Sequence, residues 1–105
     1  PNNTITLAQL FRMMFESAKV DGILTADDNP TTYWAYPYMK KASELGFKTI
    51  DDQDIDVSIN KLDKLITIGE TKVSRERRLN IFVSCFSIKE KKSMYPPYYT
   101  IKLKT

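Results

Sequence analysis

A short basic cluster at the start of the C-terminal third of the chain has the chemistry to bind an anion. It contains one lysine, one serine and three arginines, namely Lys72, Ser74, Arg75, Arg77 and Arg78. An arginine side chain is a planar fork that holds a carboxylate or a phosphate through two parallel hydrogen bonds. A helix beginning at Ser74 would add unpaired backbone N–H donors and a partial positive charge. The cluster therefore predicts an anion-binding site at a helix N-terminus.

The composition excludes most catalytic sites and favours a binding function. The chain has 105 residues, with no His, one Cys and three Gly. Without His, neither the Ser-His-Asp triad nor the usual zinc sites can be built, and one Cys cannot form an internal disulfide. The glycines are too few for a glycine-rich phosphate loop. We expect a protein that is not an enzyme and that has no cofactor and no metal site.

The charge is divided unevenly along the chain. Residues 1–71 contain 7 basic and 11 acidic residues, a net charge of −4, whereas residues 72–105 contain 9 and 2, a net charge of +7. A basic C-terminal third indicates an acidic partner, such as nucleic acid, anionic lipid or an acidic polysaccharide. The same charges would also suit a solvated face with no partner. No apolar run approaches the ~20 residues of a membrane helix, so we expect no membrane insertion.

Four amphipathic segments predict the helices that would position the basic cluster. Their apolar residues recur at helical spacing, and they cover residues 6–19, 33–45, 57–68 and 74–88. Thr6 and Gln9 predict a capping box at the start of the first segment. Pro37 places the start of regular helix in the second segment near Tyr36. We therefore expect an all-α fold, a small bundle of about four helices.

The C-terminal residues differ in character from the predicted bundle. Pro96 and Pro97 are incompatible with a helix, and the alternation over residues 99–104 is typical of a short edge strand, although a linker would also fit. We expect a helical domain over residues 1–90 and an extended tail or linker over residues 91–105.

Residues 34–47 resemble the first helix of a bacterial S-layer homology (SLH) repeat. That helix typically reads W-A-x-x-x-I-x-x-A-x-x-x-G, and the matching positions here are Trp34, Ala35, Met39, Ala42 and Gly46. The second signature of the family is I-T-R-A-E, and residues 5–9 and 73–77 look like two degenerate copies of it. The resemblance implies helix-loop-helix repeats, about one and a half of them in this chain.

The resemblance implies a non-catalytic module that anchors a protein to an anionic polysaccharide of the bacterial cell wall. An extracellular, cell-surface location follows from it, although this chain carries no signal peptide. In the family, the motif arginine meets the acidic group of a sugar, and Arg75 holds that place here. Trp34 would either stack on a sugar face or anchor the core. The expected ligand-binding residues are Lys72, Ser74, Arg75, Arg77, Arg78 and Trp34.

Two alternative functions stay open. The segments 57–68 and 74–88 could form a helix-turn-helix that binds nucleic acid, but the basic residues gather at one helix end, so this partner is less expected. The apolar cluster at residues 13–15 exceeds what one core-facing stripe needs, which suggests a protein-interaction or assembly domain of a larger protein, including self-association.

The acidic segment 51–56 and Cys85 also allow functional interpretations. The segment has four carboxylates in six positions but lacks the spacing of an EF-hand calcium loop, and an acidic solvated turn is the simpler interpretation. Cys85 lies on a predicted apolar helix face, where a buried and inert thiol is expected.

Overall fold

The computed structural model describes residues 5–58, 69–77 and 85–104, which form two helices and a four-stranded antiparallel sheet. The helices are α1 (Leu7–Ser17) and α2 (Tyr36–Glu44), and the strands are β1 (Phe47–Thr49), β2 (Glu70–Ser74), β3 (Phe86–Lys91) and β4 (Tyr98–Leu103). The strand order is β1-β2-β4-β3, and every neighbouring pair is antiparallel. None of the helices in these ranges combines the length and the apolar character needed to span a bilayer.

The predicted all-α fold and its helical bundle are therefore wrong. The fourth predicted helix, at residues 74–88, fails at both ends, because Ser74 ends β2 and Phe86 begins β3. Residues 78–84, between these two strands, lie outside the described residues. So do residues 59–68, which make up most of the third predicted helix. β3 has apolar residues at alternating positions, Phe86 and Ile88, whereas β2 has only Val73, and such short runs do not distinguish a helix from a strand by period alone.

The first two helices form where the sequence predicts them. At the start of α1 the capping box is confirmed: the Thr6 hydroxyl accepts a hydrogen bond from the Gln9 N–H at 3.1 Å, and the Thr6 N–H donates to the Gln9 side chain at 2.9 Å. Pro37 lies in the first turn of α2, where its missing N–H costs no helical hydrogen bond. After α2, Gly46 has a φ of +85°, a left-handed conformation that glycine adopts without a steric penalty.

The helices pack against one face of the sheet, which we call the inner face. Phe11 and Phe15 of α1 are fully buried, and each meets Phe47 of β1 edge to face, with ring centroids 5.4 and 5.8 Å apart. The inner face continues through Val73 of β2 and Ile101 of β4, which are also buried. Strand residues alternate between the two faces, so the residues between these buried positions project to the opposite, outer face.

Strand β4 lies inside the sheet rather than at its edge. It pairs with β2 on one side and with β3 on the other, and its Ile101 is fully buried. The edge position predicted from the alternation is therefore wrong. Pro96 and Pro97 precede the strand, so their missing N–H groups remove no hydrogen bond between β4 and its neighbouring strands. The backbone N–H of Lys104 donates to the Cys85 carbonyl at 2.8 Å, which extends the connection of this segment to the residues before β3.

Candidate anion-binding site

The outer face of the sheet presents five lysines. Directly paired residues of antiparallel strands project to the same face. The register pairs Lys48 with Lys72, Lys72 with Thr100, and Thr100 with Lys89. In the adjacent rows, Lys91 pairs with Tyr98, and Ser87 pairs with Lys102. We call this surface, formed by Lys48, Lys72, Lys89, Lys91 and Lys102, the lysine face. Neighbouring strands lie about 4.8 Å apart, which brings these charges close together.

Two carboxylates of the acidic segment offset the charge at one side of the lysine face. Like charges directly opposite each other on neighbouring strands are destabilising, and Lys48 lies directly opposite Lys72. The Lys48 ammonium is 2.7 Å from an Asp54 oxygen, and the Lys72 ammonium is 3.2 Å from an Asp52 oxygen. The hydrogen bond to Asp54 raises the pKa of Lys48 above its ordinary value, so the ammonium form is favoured further by this contact.

The other three lysines of this face are exposed to solvent without such compensation. Within the described ranges, no carboxylate forms an ion pair with Lys89, Lys91 or Lys102. Glu70 is the acidic residue that the register places on the outer face of the sheet, opposite Lys102. Cations therefore predominate on the β3–β4 half of the face.

A groove opens at one end of the lysine face. Its volume is about 280 Å³, and it lies between the sheet and the segment that leads into β4. The ammonium of Lys72 is 4.7 Å from the centre of the Tyr98 ring, within the range of a cation–π interaction. Tyr95 lines the groove and is 98% exposed. We call it the Tyr98 groove; its polar and aromatic wall is formed by Lys48, Asp52, Lys72, Ser74, Tyr95 and Tyr98.

Three residues of the predicted basic cluster, Lys72, Ser74 and Arg75, lie at the end of β2 and in the turn that follows. Lys72 projects to the outer face. Ser74 is the last residue of β2 rather than a helix N-cap, and its hydroxyl accepts a hydrogen bond from the N–H of Glu76 at 3.3 Å. The predicted helix N-terminus is therefore not formed at Ser74. Arg75, in the turn after β2, forms an ion pair with Glu90 of β3 at 3.2 Å.

The remaining predicted residues lie elsewhere or outside the described residues. Arg77 donates to the backbone carbonyl of Glu44 at 3.5 Å, next to the end of α2. Arg78 lies outside the described residues. Because Arg77 turns toward α2 and Lys72 toward the outer face, the structure does not join the cluster into one site.

Trp34 belongs to a separate aromatic surface beside α1 and α2. It is 44% exposed, so it is not a buried core anchor. Its ring lies 5.9 Å from that of Tyr33 and 6.3 Å from that of Tyr38, and the Arg12 guanidinium is 5.4 Å from its centroid. A groove of about 360 Å³ adjoins the ring. These contacts all involve residues 12–38, whereas Lys72 contacts residues 52 and 98.

Sequence reasoning missed most of the lysine face. Lys48, Lys89, Lys91 and Lys102 come from three strands, and only the register reveals that they share a surface with Lys72. A partial signal was present, because lysines alternate with other residues at positions 89 and 91 and again at positions 102 and 104. In a strand, that spacing places each pair on one face.

Over the described residues, these features define an α/β domain with two helices on one side of an antiparallel sheet and a basic face on the other. The chain matches no protein-family model, no curated protein and no solved structure.

Proposed function

We propose that this chain is a non-catalytic binding domain for an anionic polysaccharide, which lies across the lysine face. The observation that carries the proposal is a group of exposed lysines, Lys89, Lys91 and Lys102, that form no ion pair with any carboxylate of the described residues. The resemblance to SLH repeats adds that the polysaccharide belongs to a bacterial cell wall and that the domain works as a surface anchor. Relative to the sequence prediction, the proposed site moves from a helix N-terminus to the sheet and keeps Lys72.

An open sheet face suits a polymer better than a small ligand. Its charges are spread over β2, β3 and β4, and lysine ammonium groups are point charges on flexible stems that adapt to many anion positions. Each exposed ion pair contributes only about 0.2–1 kcal/mol, so useful affinity requires several contacts along one chain. A repeating acidic polymer supplies those contacts.

The test compares two double variants that remove the same charge from different surfaces. Lys89→Gln/Lys102→Gln acts on the lysine face, and Lys40→Gln/Lys41→Gln acts on α2; each lowers the net charge from +3 to +1. Binding is measured by co-sedimentation with purified cell-wall sacculi. Two lost contacts of about 0.2–1 kcal/mol each predict a roughly 2- to 30-fold loss of affinity for the first variant. The α2 variant is expected to bind like the unmodified protein.

Two results would contradict the proposal. An equal loss in both variants would show that net charge alone decides binding, without a defined surface. If the lysine-face variant binds sacculi as tightly as the unmodified protein, the lysine face is not the binding surface.

A further inference from the structure

We infer that the Tyr98 groove is a subsite for one acidic sugar residue of the bound polymer. This inference rests on the proposed function and names the part of the face that would recognise a sugar rather than charge alone. The groove combines an aromatic wall, two ammonium groups and oxygen atoms able to hydrogen-bond within a volume of about 280 Å³. That volume lies just below the range of about 300–1,000 Å³ typical of small-molecule pockets, which suits a single ring.

The apolar wall of the groove comes from the segment before β4 and from the start of that strand. Tyr95, Pro96, Pro97 and Tyr98 line it in succession. Tyr95 is 98% exposed, so its ring contributes nothing to the core and is available to a ligand. A pyranose ring has apolar C–H faces, and burying such a face against aromatic and proline surfaces is favourable.

The polar wall is fixed in position by contacts within the protein. The Lys72 side chain is only 15% exposed, and its ammonium is held between Asp52, at 3.2 Å, and the Tyr98 ring, at 4.7 Å. Lys48 is held by Asp54 at 2.7 Å. The Lys72 ammonium would therefore bind the carboxylate of a uronic acid without first losing the flexibility usual for surface lysines, and the more exposed Lys48 would add a second charge.

Asp52 gives the groove an acceptor for sugar hydroxyls. A carboxylate accepts hydrogen bonds from hydroxyls, which every ring of a polysaccharide carries, but it repels any acidic group placed beside it, a uronic acid carboxylate as much as a phosphate. The acidic group of the sugar would therefore lie next to Lys48 and Lys72 rather than next to Asp52. The Ser74 hydroxyl accepts from the Glu76 N–H, which leaves its own proton to donate to a ligand oxygen. Single-stranded nucleic acid, which would also stack on tyrosines, is therefore the competing occupant that the experiment must exclude.

The experiment measures the affinity of the full chain for polygalacturonate, which has a carboxylate on every ring, and for polyphosphate, which has charge but no ring. Tyr98→Leu is expected to weaken polygalacturonate binding by about 2- to 12-fold, the effect of one aromatic contact. Tyr98→Phe retains the ring and is expected to bind within twofold of the unmodified protein. Polyphosphate binding is expected to stay unchanged in both variants.

A second variant protects the test against misfolding of the first. Tyr95→Ala removes a side chain that is 98% exposed, so folding does not depend on it. It is expected to weaken polygalacturonate binding and to leave polyphosphate binding unchanged.

The inference is overturned if neither tyrosine variant changes the affinity for polygalacturonate, or if a tyrosine variant loses affinity for polygalacturonate and for polyphosphate by the same factor. It is also overturned if the unmodified protein binds single-stranded DNA more tightly than polygalacturonate. If the unmodified protein binds polyphosphate but not polygalacturonate, the groove is not a sugar subsite. The lysine face would still be supported as an anion-binding surface. If the protein binds neither the two polymers nor sacculi, the proposed function is wrong, and the groove is then not a sugar subsite either.

Discussion

Replacing Phe47 by alanine is expected to lower the free energy of unfolding by about 3–5 kcal/mol, the usual cost of removing a buried phenylalanine. Phe47 is 1% exposed, and its ring packs edge to face on Phe11 at 5.4 Å and on Phe15 at 5.8 Å. Because Phe47 begins β1 and faces α1, its removal leaves a cavity where the helices meet the sheet. The two rings that pack on it, Phe11 and Phe15, both belong to α1, so they cannot fill the space unless that helix moves toward the sheet.

The expected loss is large relative to the total stability of a small domain. Domains of this size are stable by about 5–15 kcal/mol, and each kcal/mol shifts the Tm by roughly 4–8 °C. The variant should therefore melt at least about 12 °C below the unmodified protein. Urea unfolding followed by far-UV circular dichroism and by the fluorescence of Trp34 would measure the change with two independent signals.

The control for this experiment is Met94→Ala. Met94 is 50% exposed and lies outside the core, so its removal should change stability by no more than about 0.5 kcal/mol. A four-helix arrangement would place Phe47 just beyond the C-terminus of a helix, in a peripheral contact with the cap. A loss below about 1 kcal/mol for Phe47→Ala would refute the packing of α1 on β1 described above.

Three further predictions concern the ends of the fold and a surface tyrosine. Thr6→Ala should lower the free energy of unfolding by about 0.5–2 kcal/mol, since it removes the N-cap of α1; unchanged urea unfolding would contradict the cap's contribution. A chain ending at Lys91 should lose cooperative unfolding, because β4 supplies the partner of both β2 and β3; a sharp transition like that of the full chain would contradict the central position of β4. Burial, and then the hydrogen bond of its hydroxyl to Glu16 at 2.7 Å, raise the pKa of Tyr38 above 10.0, so this stabilisation is present below about pH 10 and lost as the pH rises through the folded pKa. Glu16→Gln should lower that pKa only in part, as followed by ultraviolet titration of tyrosinate, and no change would exclude the contribution of Glu16.

The elements that the sequence predicted correctly are those with local signals. The capping box of α1 involves residues three positions apart, and Pro37 and Gly46 mark the start and the end of α2 within the same short segment. Each of these three signals acts through backbone geometry or through a hydrogen bond to a nearby residue. None of them depends on the rest of the fold. Such signals can be read without knowing which other segments pack nearby.

The strands were missed because their identity depends on distant partners. β2 becomes a strand by pairing with β1 and β4, and β4 begins 24 positions after the end of β2, as the numbers of Ser74 and Tyr98 show. Ser74 before a run of charged and apolar residues also satisfies the pattern of a capped helix. The lysine face was missed for the same reason, since Lys48 and Lys72 become neighbours only through the register.

If the lysine face binds a polysaccharide as proposed, the distribution of carboxylates would make its two halves act differently on the polymer. At the β1–β2 side, an incoming anion must compete with Asp52 and Asp54 for the ammonium groups of Lys72 and Lys48. At the β3–β4 side, Lys89 and Lys102 form no ion pair with a carboxylate of the described residues, although Glu70 lies opposite Lys102 in the register. On the proposed function, first contact would fall on β3 and β4, where long-range attraction would be strongest and most sensitive to salt. Binding in the Tyr98 groove would then require the ligand to replace or share the contacts that Asp52 and Asp54 make with the lysines, so selectivity among anionic polymers would come from the β1–β2 side.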